Sequence, residues 1–189
     1  MNRLTLIVLS VLLISLSSCE YNSPEFLEKN LHWVPYRLND TLKYTCREAT
    51  FDLVVTDFYK NPASSYRGLA MDVKYDQLAY YKTNENLLYG YKIEEKYDNT
   101  LGTLAMSIKI TEKDYFVFNP NIVENTDSMK IKLYSDTIIN GISYQNVYVL
   151  EKDTVKLKPR ISEVIKSESK GVIQFYDFST KKKWNLENR

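Results

Sequence analysis

Apolar and polar residues alternate with a period of two along most of the chain after Trp33. Successive side chains of a β-strand point to opposite faces of a sheet, so this period is typical of antiparallel strands with one buried and one solvated face. The apolar positions of these runs are the expected core: Leu42, Tyr44, Cys46, Phe51, Leu53, Val55, Leu87, Tyr89, Tyr91, Ile93, Tyr97, Leu104, Met106, Ile108, Ile110, Met129, Ile131 and Leu133. The pattern predicts a single β-rich domain over residues 33–189.

Turn signals separate the expected strands. Asn140-Gly141 is the strongest, because both residues tolerate the left-handed conformation that a two-residue hairpin turn requires. Further connections are expected at Glu48-Ala49, at Lys170-Gly171, and in loops over 61–65 and 119–128. The count is about ten strands, arranged as a curled antiparallel meander. A barrel, a half-barrel and a sandwich of two packed sheets all fit this pattern.

A different pattern precedes the domain. Arg3 is followed by an apolar run over 4–16 and then by small residues, as in a secretory signal peptide. The run is shorter than the about 20 apolar residues that a transmembrane helix needs. We therefore expect a signal peptide over 1–18. Residues 19–32 are expected to form a tether and one short helix that begins near Pro24.

The end of this segment, Leu16-Ser17-Ser18-Cys19, resembles the lipobox of bacterial lipoproteins. In that family the cysteine thiol is diacylated and the chain is cut just before it. The resemblance implies a lipid anchor on Cys19, with palmitate-type chains, in the outer membrane of the cell envelope. Each buried methylene contributes about 0.8 kcal/mol, so two acyl chains would hold the protein on the membrane. Glu20 and Tyr21 leave the periplasmic and surface sides of that membrane open as alternatives.

Three further segments resemble small, uncharacterised β-rich lipoproteins of the Bacteroidetes type. They are Trp33-Val34-Pro35-Tyr36, the hairpin from Asn140 to Tyr148, and Gly171-Val172-Ile173-Gln174-Phe175 together with Trp184. The resemblance implies a β-rich envelope protein and brings no activity with it.

Composition restricts the partners. The chain has 25 basic and 24 acidic residues, and removal of Arg3 with the signal peptide makes the numbers equal. This balance gives no electrostatic basis for nucleic-acid binding. With Cys19 lipidated, Cys46 has no cysteine to pair with, and its place on the apolar face favours a small buried residue.

The residue types that catalysis needs are scarce. His32 is the single histidine, no Gly-x-Ser-x-Gly elbow occurs, and a zinc site lacks ligands. Glu94 and Glu95 are adjacent and therefore point to opposite faces of a strand, so they cannot act as a glycosidase pair. Glu95 falls on the aromatic face, where a carboxylate is unusual. We expect a protein that is not an enzyme and that has no cofactor and no metal.

One aromatic cluster is a candidate ligand site. Tyrosine is abundant, with 16 residues, and five of them lie close together in sequence between Tyr80 and Tyr97. The candidate ligand-binding residues are Tyr80, Tyr89, Tyr91 and Tyr97. Aromatic faces stack on sugars or apolar ligands, whereas the alternative is ordinary cross-strand packing.

Four tripeptides share the form Asp-Ser/Thr-apolar. They resemble the acceptor for O-glycosylation in envelope proteins of such bacteria, which makes Thr41, Ser128, Thr137 and Thr154 candidate acceptors. The alternative is structural, because aspartate often ends a turn just before a strand begins.

Two functions fit these observations. The first is a membrane-anchored adaptor whose β-domain binds an envelope protein or a glycan. The second is a carrier that holds a lipid or another apolar ligand in a β-cup. A filled interior favours the adaptor and an open apolar cavity favours the carrier.

Overall fold

The computed structural model describes residues 21–22, 33–67, 73–100 and 103–187. Within them the chain forms twelve strands and no helix, which confirms the all-β prediction. The strands are β1 (Tyr21–Asn22), β2 (Thr41–Cys46), β3 (Ala49–Arg67), β4 (Val73–Thr83), β5 (Glu94–Thr100), β6 (Thr103–Lys109), β7 (Tyr115–Phe118), β8 (Met129–Ile139), β9 (Ile142–Lys152), β10 (Ile161–Ser167), β11 (Gly171–Asp177) and β12 (Lys182–Leu186). The expected signal peptide, Cys19, the short helix and His32 lie outside the described residues.

Eleven of these strands form one sheet in the order β7-β6-β5-β4-β3-β2-β12-β11-β10-β9-β8, and β1 pairs with β3. All pairs are antiparallel, so β2–β7 and β8–β12 are two meanders joined by the pairing of β2 with β12. The sheet is strongly curled into a half-barrel, which decides between the three architectures that the sequence left open. Strands β7 and β8 are its two edges.

The concave face carries the hydrophobic core, and the period-two pattern located most of it correctly. Tyr91, Ile93 and Tyr97 are buried as expected, and so are the expected positions of β2, β3, β6 and the start of β8. Cys46 and Tyr89 are partly buried and pack against this core. The structure does not describe the side chain of Leu104.

Two expected core residues are exposed. Leu87 is 94% exposed because a turn at residues 87–90 ends the alternation before β5 begins at Glu94. Leu133 is exposed because β8 is an edge strand with no strand beyond it, although its partner Tyr148 on β9 is buried.

The loop expected over 61–65 is wrong, because the backbone there belongs to β3. Asn61 pairs with Leu78 and Ser64 with Asp76, so β3 contains one extra residue between these pairs. Such a bulge leaves residues out of the ladder, and Pro62 has no N–H to donate to it. A β-bulge therefore accommodates the turn-like composition without ending the strand.

The other connections lie close to their expected positions. Asn140 and Gly141 have φ values of 52° and 79°, which confirms the expected two-residue hairpin turn. The tight turn after β2 consists of Arg47 and Glu48, one residue earlier than expected, because Cys46 pairs with Ala49. The loop over 119–128 is confirmed and joins the two edge strands.

Antiparallel order brings alternate connections to the same end of the sheet. The connections over 84–93, 110–114, 153–160 and 178–181 share one end, which we call the loop end. Strand β1 pairs with Ser64 and Ser65 near the opposite end of β3. Val55 pairs with Thr83, the last residue before the 84–93 connection. From Val55 to Ser65, β3 continues for ten residues, so about 33 Å separates the loop end from β1.

Candidate functional site

The loop end contains a surface cleft of about 630 Å³. Three connections contribute to it: the β4–β5 connection through Gly90, the β6–β7 connection through Lys113, and the β9–β10 connection through Leu157 and Arg160. These segments are far apart in sequence, so only the fold brings them together. Exposed apolar residues lie on two of these connections.

The β4–β5 connection presents two leucines to solvent on a fixed backbone. The Asn86 side-chain oxygen accepts hydrogen bonds from the backbone N–H groups of Leu88 and Tyr89, both at 3.1 Å. The Gly90 N–H donates to the Asn86 carbonyl at 2.7 Å. Leu87 and Leu88 are 94% and 79% exposed. An asparagine that bonds to its own following backbone makes a stable turn, so these side chains are held outward.

The β9–β10 connection is built in the same way. Asp153 accepts from the N–H groups of Val155 at 2.8 Å and Lys156 at 3.0 Å, and these two bonds lower the pKa of Asp153. Leu157 N–H donates to the Asp153 carbonyl at 3.1 Å. Val155 is 83% exposed and Leu157 is also exposed. We call Leu87, Leu88, Val155 and Leu157 the apolar rim.

Arg160 links both connections to the core. Its Nη2 donates to the Tyr89 carbonyl at 2.6 Å, its Nε donates to Asp177 Oδ2 at 3.0 Å, and its guanidinium lies 4.7 Å from the centre of the Tyr91 ring. Tyr91 Oη also donates to Asp177 Oδ2, at 2.6 Å. The loop end is therefore anchored by one buried carboxylate.

Asp177 is fully buried. Burial by itself raises its pKa, but hydrogen bonds from Ser179, Tyr91, Thr180 and Arg160 outweigh this effect and hold the pKa below its ordinary value. A carboxylate that accepts several hydrogen bonds and faces a guanidinium stays charged. The negative charge of Asp177 therefore stabilises the loop end through these contacts.

The ionised groups in and around the cleft are largely paired with one another. Glu112 accepts from Lys92 and from Lys109, and these hydrogen bonds lower its pKa to about 2. Lys152 lies 3.7 Å from Asp114, and burial lowers the pKa of this lysine. Within the described residues, no cluster of three or more histidine, cysteine, aspartate or glutamate side chains has the arrangement of a metal site. The cleft thus combines paired charged groups with apolar surface, and Leu157 of the apolar rim is part of its lining.

Glu95 lies at the centre of the concave face and explains the unusual carboxylate in the sequence. It forms a fully buried ion pair with Lys166. Its Oε1 accepts from Tyr81 Oη at 2.5 Å and from the Val172 N–H at 2.8 Å, and Lys166 Nζ also donates to the Trp33 carbonyl at 3.2 Å. We call Glu95 and Lys166 the buried ion pair. It connects β5 to β10 and β11 and is closed to solvent.

No pattern in the sequence indicated that Lys166 is buried or that it forms an ion pair. A carboxylate on a buried face requires a cation or a donor nearby, so Glu95 indicated that a partner exists. Its identity is a matter of tertiary structure, because the two residues are 71 positions apart.

The four candidate ligand-binding tyrosines do not form one surface. Tyr91 and Tyr97 are buried in the core, and burial raises the pKa of each to about 12. Tyr89 is partly buried, and its ring centre lies 5.7 Å from that of Tyr91. Tyr80 lies on the opposite face, where it stacks on Tyr59 and donates to Asp57 at 3.1 Å. The structure separates Tyr80 from the other three, and ligand binding by these residues stays a prediction.

The candidate acceptors for O-glycosylation lie in different places. Ser128 is exposed and Thr154 is half-buried, and these two are adjacent because the Asp153 N–H donates to the Ser128 carbonyl at 3.0 Å. Thr41 and Thr137 are half-buried, at the start of β2 and within β8. Their modification stays a prediction.

Comparisons with protein-family models, with curated proteins and with solved structures found no match to this chain. Over 21–22, 33–67, 73–100 and 103–187, the chain contains no helix of the length and hydrophobicity needed to cross a membrane.

Proposed function

We propose that this chain is a non-enzymatic binding module of the bacterial cell envelope, anchored in the outer membrane by an acylated Cys19. Its loop end binds a partner protein through the apolar rim. A glycan partner is the alternative for the same surface. The observation that carries the proposal is a set of exposed apolar side chains on loops that hydrogen bonds hold in place.

Preorganised apolar loops support the binding part of the proposal. Isolated exposed leucines are common on protein surfaces, but Leu87 and Leu88 are adjacent in sequence, and the cleft places their connection beside Leu157. Asn86 and Asp153 fix the two backbones, so little conformational entropy is lost when a partner binds. Binding residues on loops that a rigid sheet holds in position are a common arrangement in β-proteins.

The position of β1 supports the anchored arrangement. Cys19 precedes Tyr21 by two residues, which is at most about 7 Å of chain. Tyr21 pairs with Ser65 at the far end of β3, so a lipid on Cys19 would leave the loop end on the opposite side of the domain. A surface that faces away from the anchoring membrane is accessible to a partner.

The filled interior supports an adaptor over a carrier. The ring centres of Phe51 and Trp184 are 4.7 Å apart, and those of Tyr91 and Phe175 are 5.1 Å apart. The concave face that would hold an apolar ligand is thus occupied by aromatic side chains and by the buried ion pair. A second cleft of about 530 Å³ lies at the surface, and its lining mixes apolar residues such as Leu42 and Leu186 with charged ones such as Lys43 and Asp52.

The anchor is tested by intact mass and fractionation of the protein made in a bacterial envelope. We expect the mature chain to begin at Cys19, to carry the mass of its acyl chains, and to stay with the membranes. The Cys19→Ser variant is expected to leave the membrane fraction. A soluble wild-type protein with an unmodified cysteine would contradict the anchor.

The binding surface is tested by a photo-crosslinking amino acid placed at position 87 or 155 in the full chain within its native envelope. We expect a discrete adduct from these positions and none from position 38, because Leu38 is also exposed, at 54%, but lies outside the apolar rim. The Leu88→Ser variant is expected to weaken the adduct formed from position 87. Equal adducts from all three positions would show that the rim is not a specific surface.

A further inference from the structure

The cleft at the loop end contains more cations than carboxylates. Its charged lining residues are the cations Lys113, Lys152, Lys158 and Arg160 and the carboxylates Glu85, Glu112 and Asp114. Glu112 is shared between two further lysines, Lys92 and Lys109, and Arg160 pairs with Asp177. When these partners are included, the described residues of the site contain six cations and four carboxylates. The site therefore carries a net positive charge.

Lys152 is a mostly buried cation in this lining. Its side chain is 11% exposed, and its ammonium group lies 4.4 Å from the centre of the Phe116 ring. Its ion-pair partner is Asp114, whose Oδ1 lies 3.7 Å from Nζ, which is longer than a hydrogen bond. The other oxygen of Asp114 accepts from Thr111 Oγ1 at 2.6 Å. A carboxylate brought into the cleft would supply Lys152 with a closer counter-charge.

Two lysines of the lining are exposed on different connections, Lys113 between β6 and β7 and Lys158 between β9 and β10. Neither forms an ion pair with another described residue. The third lining residue of this kind is Glu85, which lies beside Arg160, because Glu85 Oε1 and Arg160 Nη1 are both within 4 Å of the position that a Cβ would take on Gly90. The two lysines thus keep ammonium groups that are available to an anion.

The backbone holds Lys158 in an unusual conformation. Its φ is 46°, in the left-handed region that residues other than glycine, asparagine and aspartate rarely adopt. The following residues are fixed, since Pro159 is buried and the Arg160 carbonyl accepts from the Phe178 N–H at 2.7 Å. Strain of this kind is often retained where it positions a side chain for binding.

The cationic cleft is continuous with the apolar rim. Leu157 belongs to the rim and to the lining of the cleft, and it directly precedes Lys158. Leu87 and Leu88 lie in sequence between Glu85 and Gly90, which both line the cleft. A ligand that covers the apolar rim therefore also reaches the cleft, so its contact surface is expected to combine apolar and anionic groups.

We propose that the partner of the loop end presents an acidic, apolar polypeptide segment. Its apolar side chains cover the apolar rim, while a carboxylate enters the cleft toward Lys113, Lys152 and Lys158. This inference rests on the proposed function, because it takes the apolar rim to be a protein-binding surface. Complementary charges across an interface increase the association rate and the specificity. A neutral partner would cover Lys152 without adding a counter-charge, and burying an unpaired charge is costly.

Photo-crosslinking from position 87, in washed envelope membranes that contain the full chain, tests this proposal. We expect the adduct yield to fall roughly threefold with Lys113→Glu or Lys158→Glu and roughly tenfold with both changes, as for partly exposed charge pairs. Lys170→Glu is the matched control, since Lys170 is exposed in the β10–β11 turn, at the other end of these strands from the 178–181 connection. It is expected to leave the yield unchanged.

Salt and a defined peptide separate charge from shape. Raising the NaCl concentration from about 50 to about 500 mM is expected to lower the wild-type yield more than that of the double variant. Sequencing of the crosslinked peptide identifies the bound segment, and a synthetic copy is compared with one whose acidic residues are replaced by asparagine or glutamine. By fluorescence anisotropy, we expect the neutral copy to bind the full chain about tenfold more weakly, and Lys152→Met to reduce this difference.

The outcomes distinguish this proposal from the function on which it rests. A discrete adduct that is insensitive to salt and to both charge reversals would leave the proposed function in place and overturn the acidic partner. An adduct with a glycan or a lipid, or an equal loss of yield in Lys170→Glu, would also overturn it. The absence of any discrete adduct from position 87 would contradict the proposed function and, with it, this inference.

Discussion

Replacing Lys166 by methionine removes the cation of the buried ion pair while keeping a long apolar side chain in its place. Glu95 then keeps two donors, Tyr81 Oη at 2.5 Å and the Val172 N–H at 2.8 Å, but loses its only described counter-charge. Both partners of the pair are fully buried in the native protein. A carboxylate in this position is not reached by water that could replace the ammonium group.

Removing one member of a buried ion pair costs about 3–5 kcal/mol, because the remaining charge stays desolvated and unpaired. The free energy of unfolding of a whole domain is about 5–15 kcal/mol, so the loss is a large share of the total. For a domain of this length, a loss of 1 kcal/mol lowers Tm by about 2–4 °C. We therefore expect Lys166→Met to lower Tm by roughly 6–20 °C.

The physical reason is tested by a double-mutant cycle with Glu95→Gln. Glutamine keeps an oxygen that accepts from Tyr81 and Val172 but carries no charge. We expect each single variant to be strongly destabilised and the double variant K166M/E95Q to be more stable than the sum of the two losses predicts. The coupling free energy is expected to be at least about 1–3 kcal/mol, as for residues in direct contact.

The assay is urea unfolding followed by tryptophan fluorescence, since Trp184 is fully buried in the same core. An unchanged m-value would show that the variants affect stability and not the compactness of either state. Additive losses in the double variant, or a loss below about 1 kcal/mol for Lys166→Met, would refute the reasoning that a buried unpaired charge dominates.

Three further expectations concern other positions. A left-handed backbone costs a residue other than glycine about 1–2 kcal/mol, and Gly171→Ala is expected to lower the free energy of unfolding by more than this, because a Cβ at position 171 meets a ring carbon of Tyr36 at 2.7 Å. Gly141→Ala is the control in thermal unfolding, because Gly141 also has a positive φ, +79°, but a Cβ there meets no atom within 4 Å. The Glu112 carboxyl has a pKa of about 2 in the folded protein against 4.5 ordinarily, so its stabilising effect should be present above pH 4.5 and disappear as the pH falls toward 2, as carboxyl NMR titration and unfolding of Glu112→Gln would show. Burial raises the pKa values of Tyr91 and Tyr97 to about 12, so the stabilisation from their neutral forms should be complete below pH 10 and be lost as the pH rises toward 12. In an ultraviolet titration, the Tyr91→Phe and Tyr97→Phe variants should each show one fewer phenol that ionises late.

The all-β class could be read from the sequence because the period-two pattern is local. Leu42 and Tyr44, or Ile93 and Tyr97, alternate with polar residues within a few positions, and the pleat of a single strand determines which face they share. The Asn140-Gly141 turn was equally local, since two adjacent residues determine its backbone.

The exceptions arose where a distant contact overrides local pattern. Leu133 follows the alternation of β8 and lies opposite the buried Tyr148, but it is exposed because β8 is an edge strand with no strand beyond it. Pro62 reads as a loop residue, yet it lies in a strand because β4 and the bulge hold the backbone on either side. Neither outcome depends on the residues within a few positions.

The sequence by itself determined the strand class, the hairpin turns and the buried face of most strands, because each depends on neighbouring residues. Tertiary structure alone decided that the sheet curls into a half-barrel, that Glu95 meets Lys166, and that Leu87 and Leu157 belong to the same end of the domain. Glu95 and Lys166 are 71 positions apart, and Leu87 and Leu157 are 70 positions apart. Whether such distant residues meet depends on which strands become neighbours in the sheet. Strand order is a property of the whole chain, so no local pattern encodes it.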